Sequence, residues 1–553
     1  MARRWLPGLA TMLAVLAFCA SGAAAATGPA LTVDPTSSDT HAISPNIYGL
    51  NYADPTLGAE IGLPVDRWGG NGTETYNWQL GSQNLGFDWY FENVADCFAA
   101  AHNWCSGMSK NTVFAYRDFI VKDRKLGSKT LITLPMAGYV AKDAPVGHPL
   151  TCGYPKTQWR SQDSFDPYDS NCGDGRQGAN TIAGRPANDG MAIGASYGGS
   201  WVKSLVQQYG PASSTGVGFY ELGNEPSLWS DTHSDIHPKP ETAAELWQKS
   251  QALATAVKAA DPSAKVLGFS EWGWPGYYCT GADTPGNGCD QSGCTTSPDC
   301  ANHGHLPMAE WLLQQFAHYD AATKVRHLDY LDAHYYAQGG NSTDVTRSLW
   351  DPTYTDPSWI NSTIQLIPRM NCWISGHVAG LCPNAAGYYP GTKISLSEYN
   401  LSLSGVSAAT NAIIQADTLG IFARGGVALA TRWAMPYDGS LVGDAFLMLR
   451  DYDGNHSRFG DTYIHSVSAN QSQVSVYGAR RSSDGAYTVL VLNKTNSALT
   501  SRLTLTRSTK TGTVQTWRWT GGSIQQVGGG TAIASGVIAA TYPAMSMTLY
   551  VIK

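Results

Sequence analysis

Eight short apolar runs recur between residues 45 and 435, and each turns polar or aromatic where it stops. They are PNIYGLNY (45–52), PVDRWGG (64–70), KTLITLPM (129–136), GVGFYEL (216–222), AKVLGFS (264–270), HLDYLDAHYY (327–336), TKISLSEYN (392–400) and ALATRWAM (428–435). Amphipathic stretches with helical spacing lie between several of them, among them AYRDFIVKDRKLG, TAAELWQKSQALATAVKAAD and MAEWLLQQFAHYD. Eight strands alternating with helices predict a (β/α)8 barrel, an α/β fold. The polar ends fall at Asn51, Arg67–Trp68, Met136, Asn224–Glu225, Glu271, His334–Tyr336, Glu398 and Arg432–Trp433. In such a barrel the loops after the strands build the active site, so these residues are the candidates for chemistry.

The texture changes after residue 448. SQVSVYGARR, AYTVLVLNKT, SRLTLTR, TVQTWRWTGG and SMTLYVIK alternate apolar and polar residues between Gly, Ser and Asn turns, which predicts an all-β sandwich over 449–553. The ALTVDP strand within 27–44 is expected to join that sandwich before the chain enters a barrel over 45–448. Residues 1–26 read as a secretory signal: Arg3 and Arg4, an apolar run too short to span a bilayer, then small residues. The protein is therefore expected outside the cell.

Removing Cys19 with the signal leaves ten of 11 cysteines, an even number suited to disulfides in an oxidising compartment. Cys97 lies near Cys105, Cys152 near Cys172 and Cys372 near Cys382, while Cys279, Cys289, Cys294 and Cys300 crowd one loop beside His303 and His305. That crowd lacks paired C-x-x-C units, so disulfides are preferred to zinc. Only 14% of residues are charged, against about 25% in ordinary domains, and the net charge is −7 without a basic run. Nucleic acid and anionic membranes are poor partners for such a surface. The 18 Trp and 28 Tyr suit a groove for sugar rings instead.

Glu225 stands in GVGFYELGNEPSLW (216–229), where Pro226 ends strand pairing and is expected to hold Glu225 extended. Glu398 ends the seventh run, as Glu225 follows the fourth. Two carboxyl groups facing each other across a barrel mouth are what glycosidic hydrolysis needs, one as acid and one as base or nucleophile. Asn224 is placed to hydrogen-bond a sugar hydroxyl, Arg67 to pair with an ionised nucleophile, and His334 and Tyr336 to hold Glu398. Asn71 joins them from the second strand's end, and Trp68, Trp229 and Trp433 are candidate stacking platforms.

Rival motifs are weaker. GASYG (194–198) matches the serine-hydrolase elbow around Ser196, but only Met191 to Ile193 offer the strand it requires. His233 and His237 have metal-ligand spacing without the glutamate of H-E-x-x-H. DYDGN (451–455) has its glycine one place early for a calcium loop. A barrel that binds polysaccharide without cutting it is the non-enzymatic alternative.

Six blocks in order, DRWGGNGTETYNW, TLPMAGYVAKD, NEPSLWSDTHSDIHP, LWDPTYTDPSWI, YYPGTKISLSEYN and RDYDGNHSRFGDT, resemble glycoside hydrolase family 44. The resemblance implies a (β/α)8 barrel with a β-sandwich and a secreted endo-β-1,4-glucanase or xyloglucanase; the enzyme is expected to work as a monomer. It implies retention of configuration, with Glu225 as acid/base, Glu398 as nucleophile and plant cell-wall polysaccharide as substrate. No cofactor is required and no metal ligand is assigned. Some members bind a structural calcium before the fourth strand, where this chain has the glycine-rich GMAIGASYGG (190–199). The cysteine-rich segment 279–300 has no counterpart in the pattern.

Overall fold

In a computed structural model, the described residues are 25–98, 105–283, 288–291, 293–376, 378, 381–382 and 387–553. Residues 1–24, and with them most of the expected signal, lie outside these. All eight runs form parallel strands: β1 (Gly49–Asn51), β2 (Val65–Trp68), β3 (Lys129–Leu134), β4 (Phe219–Leu222), β5 (Lys265–Glu271), β6 (Tyr330–Tyr336), β7 (Lys393–Asn400) and β8 (Leu429–Arg432). Neighbours in sequence are neighbours in the sheet, and β8 closes on β1 through Thr431 and Gly49.

Helices Ala115–Leu126, Ala195–Tyr209, Ala243–Ala260, Met308–Thr323, Leu366–Ser375 and Ala408–Gly425 lie between the later strands. Their ends follow local chemistry. Thr242 and Ser407 accept the N–H groups of Glu245 and Thr410 at two helix starts, and Gly127, at φ +73°, ends the first helix in the left-handed region that glycine adopts freely.

Inside the barrel the period-two rule of strands sets two layers. Val65, Leu131, Phe219, Leu267, Tyr330 and Leu429 pack into one buried apolar cluster at the floor. Burying such side chains contributes about 1.5–3 kcal/mol each. Two residues further along their strands come Arg67, Thr133, Glu221, Asp332 and Thr431, all buried and polar. The mouth of the barrel rests on this polar layer.

Strand Leu31–Asp34 runs antiparallel to Thr462–Ser468 and parallel to Leu499–Leu505, within a 12-stranded all-β unit made mostly of the C-terminal part. Leu31, Val33, Val476, Val491, Leu503 and Ile538 share its separate core. Helix Ala408–Gly425 carries the junction with the barrel: buried Asp417 accepts from Tyr477 at 2.7 Å and pairs with Lys494 at 3.0 Å. Five disulfides are present: Cys97–Cys105, Cys152–Cys172, Cys279–Cys289, Cys294–Cys300 and Cys372–Cys382.

Candidate active site

Two irregularities in the strands aim the site. Asp332 pairs with Ser395 and His334 with Glu398, so β7 holds one residue more than β6 over that interval. The β7–β8 ladder shifts at the same place, between Leu396 and Tyr399. This bulge lets two consecutive side chains face the barrel interior, which strict alternation forbids. Ser397 donates to Glu221 Oε1 at 2.6 Å, while Glu398 turns to Arg67 and Tyr336. A second bulge, on β5, carries Ser270 at φ +57°.

Arg67 is buried at the centre. Its Nε donates to Glu221 Oε2 at 2.8 Å, Nη1 to Glu398 Oε1 at 2.7 Å and Asn51 Oδ1 at 3.0 Å, and Nη2 to Asn224 Oδ1 at 3.1 Å. Tyr336 donates to the other Glu398 oxygen at 2.6 Å. Glu398 is thus fixed at both oxygens. Burial works against ionisation of Glu221, but the Arg67 guanidinium outweighs it and holds that carboxyl well below the usual range.

Glu225 approaches from the other side, its side chain 15% exposed. His334 Nδ1 lies 2.8 Å from Glu225 Oε1 and 3.6 Å from Glu398 Oε2. One oxygen of each glutamate and a ring nitrogen of His334 all lie within 4.8 Å of one another. Burial opposes a charge on His334, but Glu398, Glu221 and Glu225 overcome it and raise its pKa well above the ordinary value. Burial, joined by the negative charge of Glu398, raises the pKa of Glu225 despite the hydrogen bond from His334. With His334 on Oε1, Oε2 is left without a hydrogen bond to the described residues.

The backbone at Glu225 departs from expectation. It is left-handed, at φ +47° and ψ 58°, rather than extended. Its N–H donates to Ser270 O at 3.1 Å across from β5, which competes with the local preference imposed by Pro226.

Asn71 accepts from the Asn224 amide at 3.2 Å and so belongs to the same constellation. The tryptophans divide. Trp433 is half-buried, its ring beside Gly70, within reach of the mouth. Trp229 is fully buried, donating from Nε1 to Asn224 O at 2.9 Å, and Trp68 is buried among Tyr52, Tyr76 and Phe119. Neither presents a face to a ligand, so both support the site from beneath instead of stacking on sugar. The expected division of labour at β6 also changes: Tyr336 holds Glu398, whereas the nearer contact of His334 is with Glu225.

Exposed aromatic pairs that spacing did not reveal flank the mouth. Trp359 is 57% exposed and stacks on Trp272, with ring centroids 6.5 Å apart. Its Nε1 donates to Gln338, two residues beyond β6, at 3.2 Å. Trp89 and Tyr168 stack likewise at 6.4 Å, next to Asp88, which accepts from Asn71.

The rival motifs do not assemble. Ser196 is exposed on the helix that follows a three-residue strand, Gly190–Ala192, paired only with Tyr139–Ala141 outside the barrel. Burial pushes His233 down to about 3, while His237 meets Glu245 at 2.8 Å. The four cysteines of 279–300 form two disulfides. For a structural calcium, residues 190–199 offer no carboxylate. Asp189 just before them and Asp235 are buried, and Asp189 Oδ1 and both Asp235 oxygens lack hydrogen-bond partners among the described residues. Oxygen donors of this kind fit a hard cation.

Comparison with known proteins places these features. The family model of glycoside hydrolase family 44 matches residues 82–339. Endoglucanase A of Paenibacillus lautus is 32% identical over 512 residues, covering 86% of this chain and 65% of the relative. The beta-mannanase/endoglucanase A of Caldicellulosiruptor saccharolyticus is 30% identical over 490 residues, 82% of this chain and 33% of the relative. The chain therefore spans 65% and 33% of the lengths of these two curated relatives. The crystal structure of CelM2, a bifunctional glucanase-xylanase from a metagenome library, matches with a TM-score of 0.84 at 34% identity, over 95% of this chain and 99% of that one. The family 44 xyloglucanase of Paenibacillus polymyxa matches at 0.74 and 27%, over 96% and 100%.

Proposed function

The chain belongs to glycoside hydrolase family 44, and from that premise we propose that it is a secreted, retaining, endo-acting hydrolase of β-1,4-glucan backbones, cellulose-like glucan or xyloglucan. The observation that carries this reading is the approach of Glu225 and Glu398, with an oxygen of each within 4.8 Å. Retaining glycosidases hold their two carboxyl groups about 5–5.5 Å apart, and inverting ones about 6.5–9.5 Å apart. In the first step Glu225 Oε2 gives its proton to the leaving glycosidic oxygen. Glu398, with its charge against Arg67, attacks the anomeric carbon and forms a glycosyl ester. In the second step Glu225, now ionised, takes a proton from water, and the resulting attack releases the sugar and Glu398. Asn224 and Asn71 are placed to bind a sugar hydroxyl beside the reacting bond. A structural cation at Asp189 and Asp235 would take no part in these steps.

Five disulfides support an extracellular setting. No helix among the described residues is long and apolar enough to cross a membrane. On this reading plant cell-wall polysaccharide is the substrate and the monomer is the working form. A panel of soluble xyloglucan, carboxymethylcellulose, mixed-linkage glucan and mannan with product sizing tests the proposal. The expected outcome is new reducing ends and mid-sized oligosaccharides from a β-1,4-glucan. Binding without new reducing ends would establish the non-catalytic alternative.

A further inference from the structure

Glu225 occupies a left-handed conformation that is strained for a non-glycine residue, and it is followed by a proline. Such a conformation persists only where its surroundings over-determine it. Two buried carboxyl groups that take no part in the chemistry above grip the backbone on either side of it.

Glu74 ends the short helical turn that begins at Asn71, and it is fully buried. Its Oε1 accepts the N–H groups of Met136, at 2.5 Å, and Ala137, just beyond β3. Its Oε2 accepts the N–H of Asn224, the residue before Glu225, at 2.6 Å. The approach is tight: a Cβ on Gly223 would stand 2.9 Å from that oxygen, and Gly223 itself is at φ +71°. On the far side, Glu271 at the end of β5 is buried and takes both donors of Ser227, two residues after Glu225: the N–H at 3.2 Å and the hydroxyl at 2.5 Å. Between the two grips, Ser270 O on the β5 bulge receives the N–H of Glu225 itself. Asn224, Glu225 and Ser227 are thus each anchored to a different acceptor, on Glu74, Ser270 and Glu271, all three of them buried.

We propose that Glu74 and Glu271 are positioning residues that clamp the segment Asn224–Ser227 and so hold the acid/base Glu225 in its left-handed conformation. The inference rests on the reading of Glu225 as the general acid. A clamp acting through the acid has a signature that general loosening of the fold lacks. Misplacing the acid/base slows the first step only where the leaving group needs a proton, while it slows the second step alike for every substrate.

The test uses the full-length protein and two aryl β-cellobiosides, one with a phenol leaving group and one with 2,4-dinitrophenol, which departs without assistance. Glu74→Gln keeps the size of the side chain but replaces one acceptor oxygen with an amide nitrogen that cannot accept an N–H. Its kcat/KM with the phenyl substrate should fall about 10–100-fold. The dinitrophenyl substrate should lose less than about threefold in kcat/KM, which reports the first step alone. Ser227→Ala, which removes only the hydroxyl contact with Glu271, should show the same split in smaller measure and decides the matter if Glu74→Gln fails to fold. Equal losses on both substrates, or none on either, in the folded variants would overturn the clamp. Glu225→Ala, run beside them, separates the two readings: if it shows no leaving-group dependence, the acid assignment fails, and the clamp with it.

Discussion

Glu225 and Glu398 meet over a shared histidine: His334 Nδ1 is 2.8 Å from an oxygen of the first and 3.6 Å from an oxygen of the second. The two carboxyls are nonetheless placed in different surroundings. Both oxygens of Glu398 receive hydrogen bonds, from Arg67 and Tyr336, whereas Oε2 of Glu225 makes none to the described residues. Environments that separate two acids in this way assign them different roles.

Those roles are separable by substitution. Glu398→Ala should not turn over even activated aryl glycosides unless an external nucleophile such as azide is supplied. Glu225→Ala should lose about 100-fold or more on β-glucan, where the leaving group needs a proton, and keep its first step on dinitrophenyl glycosides. Identical behaviour of the two variants, or inactivation by Ser196→Ala, would contradict the assignment.

The Trp272–Trp359 pair should act on binding alone. Trp359→Ala is expected to raise KM for long glucans about 2- to 10-fold, the equivalent of roughly 0.5–1.5 kcal/mol of aromatic contact, and to leave kcat unchanged. Steady-state kinetics on oligosaccharides of graded length check this, and a fall in kcat with unchanged KM would show the ring acting elsewhere.

Stability should peak in mild acid. Burial raises Glu74 to about 7, Glu92 to about 9 and Asp96 to about 6. Each favours folding fully below its unfolded pKa of about 4, and that contribution is lost as pH rises through the folded value. Glu245 and Asp283 go the other way, to about 2: burial opposes them, but His237 and Lys249 hold the first and His303 the second. Their contributions are lost as pH falls from about 4 to about 2. Thermal unfolding followed across this range should give its highest Tm near about pH 4, and a Tm that climbs steadily to pH 9 would contradict the account.

The disulfides should leave no free thiol in the secreted, denatured, unreduced protein. Removing the Cys372–Cys382 bridge, which closes a ten-residue separation, should cost about 2–3 kcal/mol, as short loops restrict the unfolded chain least. Thiol titration and denaturant unfolding measure the two quantities, and two or more free thiols would count against the pairing.

The barrel was legible because its signal is periodic: every run from 45–52 to 428–435 supplied a strand in the order read. The two glutamates were legible because each sits where a run turns polar. What escaped the sequence depends on departures from period. The extra residue in β7 lets Ser397 and Glu398 both face inward, and nothing in SLSEYN distinguishes that from ordinary alternation. The left-handed turn at Glu225 is fixed by Ser270, 45 positions away along the chain, so the local rule for residues before proline gave the wrong conformation. At Trp229 and Trp68 residue type reports an aromatic face but not that it is covered. Glu74 stands within DRWGGNGTETYNW, where nothing marks its role, since its partners are backbone amides that leave no trace in composition.

The stereochemistry of the first product tests the central claim most directly. With an oxygen of Glu225 and one of Glu398 within 4.8 Å, the pair has the close approach of a retaining site, and on the proposed reading Glu398 itself attacks. Proton NMR of a β-glucan oligosaccharide at early times of reaction should show the β-anomeric signal first, with the α signal growing only by mutarotation. An α signal that appears first would mean direct attack by water, and would contradict both the nucleophilic role of Glu398 and the retaining mechanism.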